Sequence, residues 1–96
     1  MLPKTPAGFT IASQLIKAGT SIGANFVESQ DASSPRDFTQ KLRISLREAR
    51  ESLYWLNIIK FSKLLDQPDL NDAIQECNEI VAVLLTSVKS SKLRIR

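Results

Sequence analysis

Apolar residues recur every three or four positions along nearly the whole chain, the rhythm of α-helices buried along one side. The first run predicts a helix over about Pro6–Gln30, with Thr5 as its cap and Pro6 at its first position, where a missing N–H costs nothing. Its apolar positions are Ile11, Leu15, Ile22 and Phe26, backed by Ala12, Ile16, Gly19, Gly23 and Val27. At about 100° per residue these merge into one wide face. Gly19 and Gly23 lie one turn apart on it. Each glycine costs about 1 kcal/mol in a helix interior, so the pair predicts a close helix approach. On the other side, Gln14, Ser21, Asn25 and Glu28 form a polar stripe. Such a stripe either faces water or makes a hydrogen-bonding seam with another subunit.

Asp31, Ala32 and Ser33 read as a loop. Ser34, Pro35 and Asp37 then supply a cap, a first-turn proline and a capping-box acid for a second helix, predicted over about residues 34–65. At roughly 45 Å this helix is long for a globular protein. Phe38, Leu42, Leu46, Ala49, Leu53 and Leu56 follow a heptad-like seam. Beyond Leu53 the helix is apolar almost all round, through Tyr54, Trp55, Ile58, Ile59, Phe61, Leu64 and Leu65. Two partner helices do not supply that much cover. Tyr54, Trp55 and Phe61 are therefore candidates for a subunit interface, together with the stripe Gln14, Ser21, Asn25 and Glu28. After a break near Gln67, a third helix is predicted over about residues 68–90, with the seam Leu70, Ile74, Cys77, Val81, Leu84 and Val88. Asp69 and Asp72 near its start and Lys89 near its end match the helix dipole. Residues 91–96 form a basic tail that is expected to fray. Short connections between long helices imply a single all-α domain over 1–96, an antiparallel up-down helical bundle.

Composition narrows the chemistry. The 96 residues are 43% hydrophobic and 24% charged, a globular balance. There is no histidine and one cysteine, so a Ser-His or Cys-His nucleophile is excluded and a zinc site nearly so. Cys77 lies within an apolar seam and reads as a small buried hydrophobe. No cofactor and no catalytic residue is implied. No apolar run reaches the roughly 20 residues that span a bilayer, and the N-terminus lacks a signal-peptide core, so a cytoplasmic protein with no membrane partner is expected. The net charge of +3 permits contact with phosphate backbones without demanding it.

Two segments resemble a known family. One runs from Gln14 to Glu28 and contains Ser21-Ile22-Gly23-Ala24-Asn25. The other begins at Asp37-Phe38, continues through Lys41-Leu42 and Ile44 to Ser52, and ends in Tyr54-Trp55-Leu56. In order and spacing they resemble the bacterial four-helix bundle proteins encoded in intervening sequences of 23S ribosomal RNA genes, to which the accessory protein of diversity-generating retroelements is related. The resemblance covers about Leu2 to Lys89. It implies an up-down four-helix subunit, a homopentamer, possible association with RNA or DNA, and no established catalysis. Relatives usually carry a helix before the Leu-Pro that stands here at Leu2-Pro3, so this chain resembles the family without its first helix. Ser29 stands where many relatives have Ala or Gly.

The candidate functional surface is basic. Arg36, Arg43, Arg47 and Arg50 fall within about 60° on the second helix. Guanidinium groups in a row suit a phosphate backbone. Lys89, Lys92, Arg94 and Arg96 extend the candidate set. Asp37, Glu48 and Glu51 lie beside the row, and Arg47 is placed to pair with Glu51, so a solvated or subunit-bridging face is the competing reading. No base-reading motif is present, so binding would be nonspecific in sequence. Two function classes follow: an oligomeric bundle that binds nucleic acid, or a structural adaptor that docks a protein partner.

Overall fold

Side-chain caps start the first two helices where the sequence places them. Thr5 Oγ1 accepts the Gly8 N–H at 3.0 Å, and Pro6 opens α1 (Pro6–Gln30). Ser34 Oγ accepts the Asp37 N–H at 3.0 Å, and Pro35 opens α2 (Pro35–Phe61). The Asp37 carboxylate reaches back to the Ser33 N–H at 3.2 Å. A third helix, α3, spans Pro68–Lys92. The structure, a computed structural model, describes residues 2–63 and 68–95, and among these there is no strand.

Two boundaries differ from the sequence expectation. α2 ends at Phe61 rather than near residue 65. The Ser62 N–H still bonds the Ile58 carbonyl, but Lys63 then takes a positive φ of 56°, which stops a helix. Leu64, Leu65 and the expected break at Gln67 lie outside the described residues. α3 continues to Lys92, two residues beyond its expected end, so Ser91 and Lys92 belong to the helix and not to a frayed tail. The cause is tertiary: Thr39 Oγ1 donates to Ser91 Oγ at 2.8 Å in a buried contact, and Ser91 passes a bond on to the Val88 carbonyl at 2.9 Å. That link ties the start of α2 to the end of α3 and confirms their antiparallel course.

α2 is the middle of the fold. α1 and α3 pack along it, while the backbones of α1 and α3 stay more than 8 Å apart among the described residues. The result is an open slab of 48 × 21 × 15 Å. Its radius of gyration is 15.2 Å, against about 13 Å for a compact globule of this length. The core has two parts. Leu42, Leu46 and Ala49 of α2 meet Leu84 and Val88 of α3 at one end. At the other end Ile11, Ile59 and Leu70 bring all three helices together, with Trp55 and Leu56 packed beside them. The α3 seam is the one expected, including a buried Cys77 whose thiol donates to the Ala49 carbonyl at 3.4 Å.

The α2 seam is broader than expected, because α2 has neighbours on two sides. Ser45 and Ser52 are buried, while Leu53 is only half-buried and belongs to neither core cluster. Ser45 Oγ satisfies itself by donating to the Ile22 carbonyl of α1 at 2.8 Å. α1 is also turned about its axis relative to the expectation. Ala18 and Ser29 lie on its line of burial, and Gln14, Ser21 and Asn25 are half-buried rather than free in solvent. Much of its apolar face is left uncovered: Ile16 is 66% and Val27 62% exposed. Gly19 and Gly23 make no close approach, since a Cβ at either would meet open space.

Candidate nucleic-acid interface and assembly surfaces

The arginine row survives folding as a surface. Arg36, Arg43, Arg47 and Arg50 are all exposed along α2. Arg47 pairs with its neighbour Glu48 at 3.5 Å rather than with Glu51. Glu51 instead accepts a long bond from the Trp55 indole N–H at 3.4 Å. Arg36, Arg43 and Arg50 enter no ion pair among the described residues. Their cationic heads are therefore free for a ligand.

Helical phase locates the remaining cations. Counted from Ser91, which points at α2, Lys92 lies about 100° and Lys89 about 160° round α3. Both are exposed on the flank beside which Val81 and Leu85 pack against the α2 core. Lys89 and Lys92 thus share the basic end with Arg36, because the Thr39–Ser91 bond aligns the two helix ends. Arg94 lies elsewhere. It lines a cup of about 440 Å³ at the α1–α2 turn, with Ser29, Ser33, Ser34 and Ser91. Arg96 is outside the described residues. Sequence alone grouped these cations; the fold sets Arg94 apart from Lys89 and Lys92.

The interface candidates divide as well. Tyr54 and Phe61 are 56% and 78% exposed, whereas Trp55 is half-buried and stacks edge-on to Tyr54 at 5.1 Å between ring centroids. Gln14, Ser21 and Asn25 are half-buried, and the Asn25 amide donates to the Ser21 carbonyl at 2.9 Å within α1. Glu28 reaches Lys41 of α2 at 2.9 Å and raises the lysine's pKa through that hydrogen bond and its charge. Of the polar stripe, Glu28 alone is seen to bond α2 among the described residues.

A second surface was not anticipated. Between α1 and α3 runs an open groove of about 570 Å³, with Ile22, Gly23 and Phe26 on one wall and Ile80, Val83 and Leu84 on the other. Its signal was present in the sequence. Glu76, Ile80, Val83, Ser87, Ser90 and Arg94 follow the same alternation of four and three as the buried seam, in a different phase. Among the described residues no group of three or more His, Cys, Asp or Glu is placed to hold a metal ion, and no helix is long and apolar enough to cross a membrane.

Comparison with known proteins places this architecture. The sequence profile of the 23S rRNA-intervening sequence proteins matches residues 1–86. The chain belongs to that family. Among solved structures it is similar to a protein of unknown function from the S23 ribosomal protein family of Bacteroides thetaiotaomicron. The two share 34% identity over 82% of this chain and 73% of the other, with a TM-score of 0.78. Nothing matches among curated proteins. Within the 23S rRNA-intervening sequence family, this chain combines the all-α fold with an arginine row on the middle helix and an open groove between the outer two.

Proposed function

We propose that this protein is a non-catalytic, cytoplasmic helical-bundle protein that associates with copies of itself and binds RNA or DNA without sequence preference. The observation that supports nucleic-acid binding is the row of exposed arginines on α2, three of them outside any ion pair among the described residues, on the flank that helical phase also gives Lys89 and Lys92 of α3. Guanidinium groups fork phosphate oxygens and release condensed counterions, while nothing in the row reads base edges.

Fluorescence anisotropy with a labelled DNA duplex tests the reading. Affinity falls with salt by a log–log slope of about −0.9 for each phosphate contact. Replacing Arg36, Arg43 and Arg50 together by Gln is expected to flatten the slope by roughly two to three units. The same variant has no reason to lose helix content, because all three side chains are exposed. A wild-type protein that fails to bind at low salt, or binds with no salt dependence, would favour the protein-docking adaptor instead.

A further inference from the structure

The arginine row of α2 runs on into two aromatic rings. At about 100° per residue, Tyr54 and Phe61 fall inside the same 60° arc as Arg36, Arg43, Arg47 and Arg50, and no other residue of α2 shares it. Both rings stand in solvent, Tyr54 56% and Phe61 78% exposed. No acidic side chain lies in the arc. Ser45, whose hydroxyl bonds α1, is about 180° round α2 from Arg36, so this face turns away from α1. At 1.5 Å per residue the arginines cover about 21 Å of helix. Tyr54 follows Arg50 by about 6 Å, and Phe61 follows Tyr54 by about 10 Å.

The nearer ring is held from the core side. Trp55 packs against the cluster of Ile11, Ile59 and Leu70 and donates its indole N–H to Glu51 at 3.4 Å. Its ring meets Tyr54 edge-on, with 5.1 Å between centroids and 73° between planes. A ring supported in this way is a platform that loses little freedom when a flat group stacks on it. The form of nucleic acid that suits the face follows. A duplex offers phosphates to the arginines, but its bases already stack on one another and leave Tyr54 and Phe61 without a partner. A single strand offers both phosphates and free base faces, and base stacking on an aromatic ring tolerates any sequence.

We propose that the outer face of α2 takes single-stranded nucleic acid, with phosphates on Arg36, Arg43 and Arg50 and bases stacked on Tyr54 and Phe61. The proposal rests on the reading that the arginine row binds a polyanion and names the form of nucleic acid it takes.

Fluorescence anisotropy with two labelled probes tests it: an oligothymidine of about 16 nucleotides and a fully paired DNA duplex of the same length. Circular dichroism and sedimentation follow helix content and assembly. Tyr54→Ser and Phe61→Ser are each expected to weaken oligothymidine binding about tenfold, since each removes a stacking platform. Duplex affinity and its salt slope should stay at the wild-type value, because the arginines are untouched. Tyr54→Phe keeps the ring and should bind oligothymidine as the wild type does. Serine variants that hold oligothymidine at wild-type affinity, or that lose both probes alike, would overturn the stacking and leave the arginine reading standing. A wild-type protein that binds only the duplex would do the same. Serine variants that sediment as a smaller species would make the two rings a subunit contact and overturn the proposal too. A wild-type protein that binds neither probe at low salt would overturn the arginine reading and this proposal with it.

Discussion

Gly8, not Gly19 or Gly23, is the glycine that packing requires. A Cβ at Gly8 would run into the Pro3 carbonyl and crowd the Thr5 hydroxyl that caps α1. The segment held there carries Leu2 into the second core cluster. Gly8→Ala should therefore displace Leu2 and cost on the order of 1–3 kcal/mol, measured by urea unfolding. Ala at Gly19 should instead stabilise the helix by up to about 1 kcal/mol. Cys77 offers a pH test. Burial pushes its thiol above the ordinary range. Stability is then at its full value below the unfolded thiol pKa, and declines as pH rises above about 8.5 and through the folded pKa. Cys77→Ala should flatten that decline between pH 8 and 10, and equal slopes in the two proteins would contradict the burial. The buried-hydrophobe reading of Cys77 was legible because it needs only the seam. The glycine roles were not, because the contact at Gly8 comes from a chain segment outside the helix.

At the scale of the helix, local chemistry proved sufficient for the starts of α1 and α2 and for the end of α1 at Gln30, and insufficient for the ends of α2 and α3. Thr5 and Ser34 cap because their hydroxyls lie three residues from the N–H they accept, a purely local geometry. Ser34→Ala should cost about 1 kcal/mol and raise hydrogen exchange in the first turn of α2. The end of α3 depends instead on Thr39, 52 positions away in sequence. The α2 seam shows the same division. Leu84 and Leu53 look equivalent by periodicity, yet Leu84 is 5% exposed and Leu53 half-buried. An ionised carboxylate at a buried site costs several kcal/mol, comparable with the whole stability of about 5–10 kcal/mol for a domain this size. Leu84→Asp is thus expected to abolish cooperative thermal unfolding, whereas Leu53→Asp should lower the melting temperature and leave a transition. Equal losses would restore Leu53 to the core.

The whole molecule is a slab whose two outer helices are held by α2 and leave their facing sides open. Surface exposed in this way binds an apolar reporter dye. Dye fluorescence should fall when Phe26, Ile80 and Val83, which line the groove, are replaced together by Ser at unchanged helix content. A signal unchanged by the triple variant would mean that the dye binds elsewhere. The basic row and the groove occupy different flanks of the fold.

The pattern of apolar and polar residues determined that this protein is helical, where its first two helices begin, which residues of α3 face inward, and that one row of arginines stays outside. Each of these depends on interactions within one or two turns. The rotation of α1, the half-exposure of Leu53, the separation of Arg94 from Lys89 and Lys92, and the open groove were decided only by tertiary structure. An apolar arc wider than one neighbour can cover does not specify which part of itself will be covered. α1 settles that when Ser45 of α2 bonds the Ile22 carbonyl and Glu28 reaches Lys41, contacts between helices that no periodicity within either one encodes.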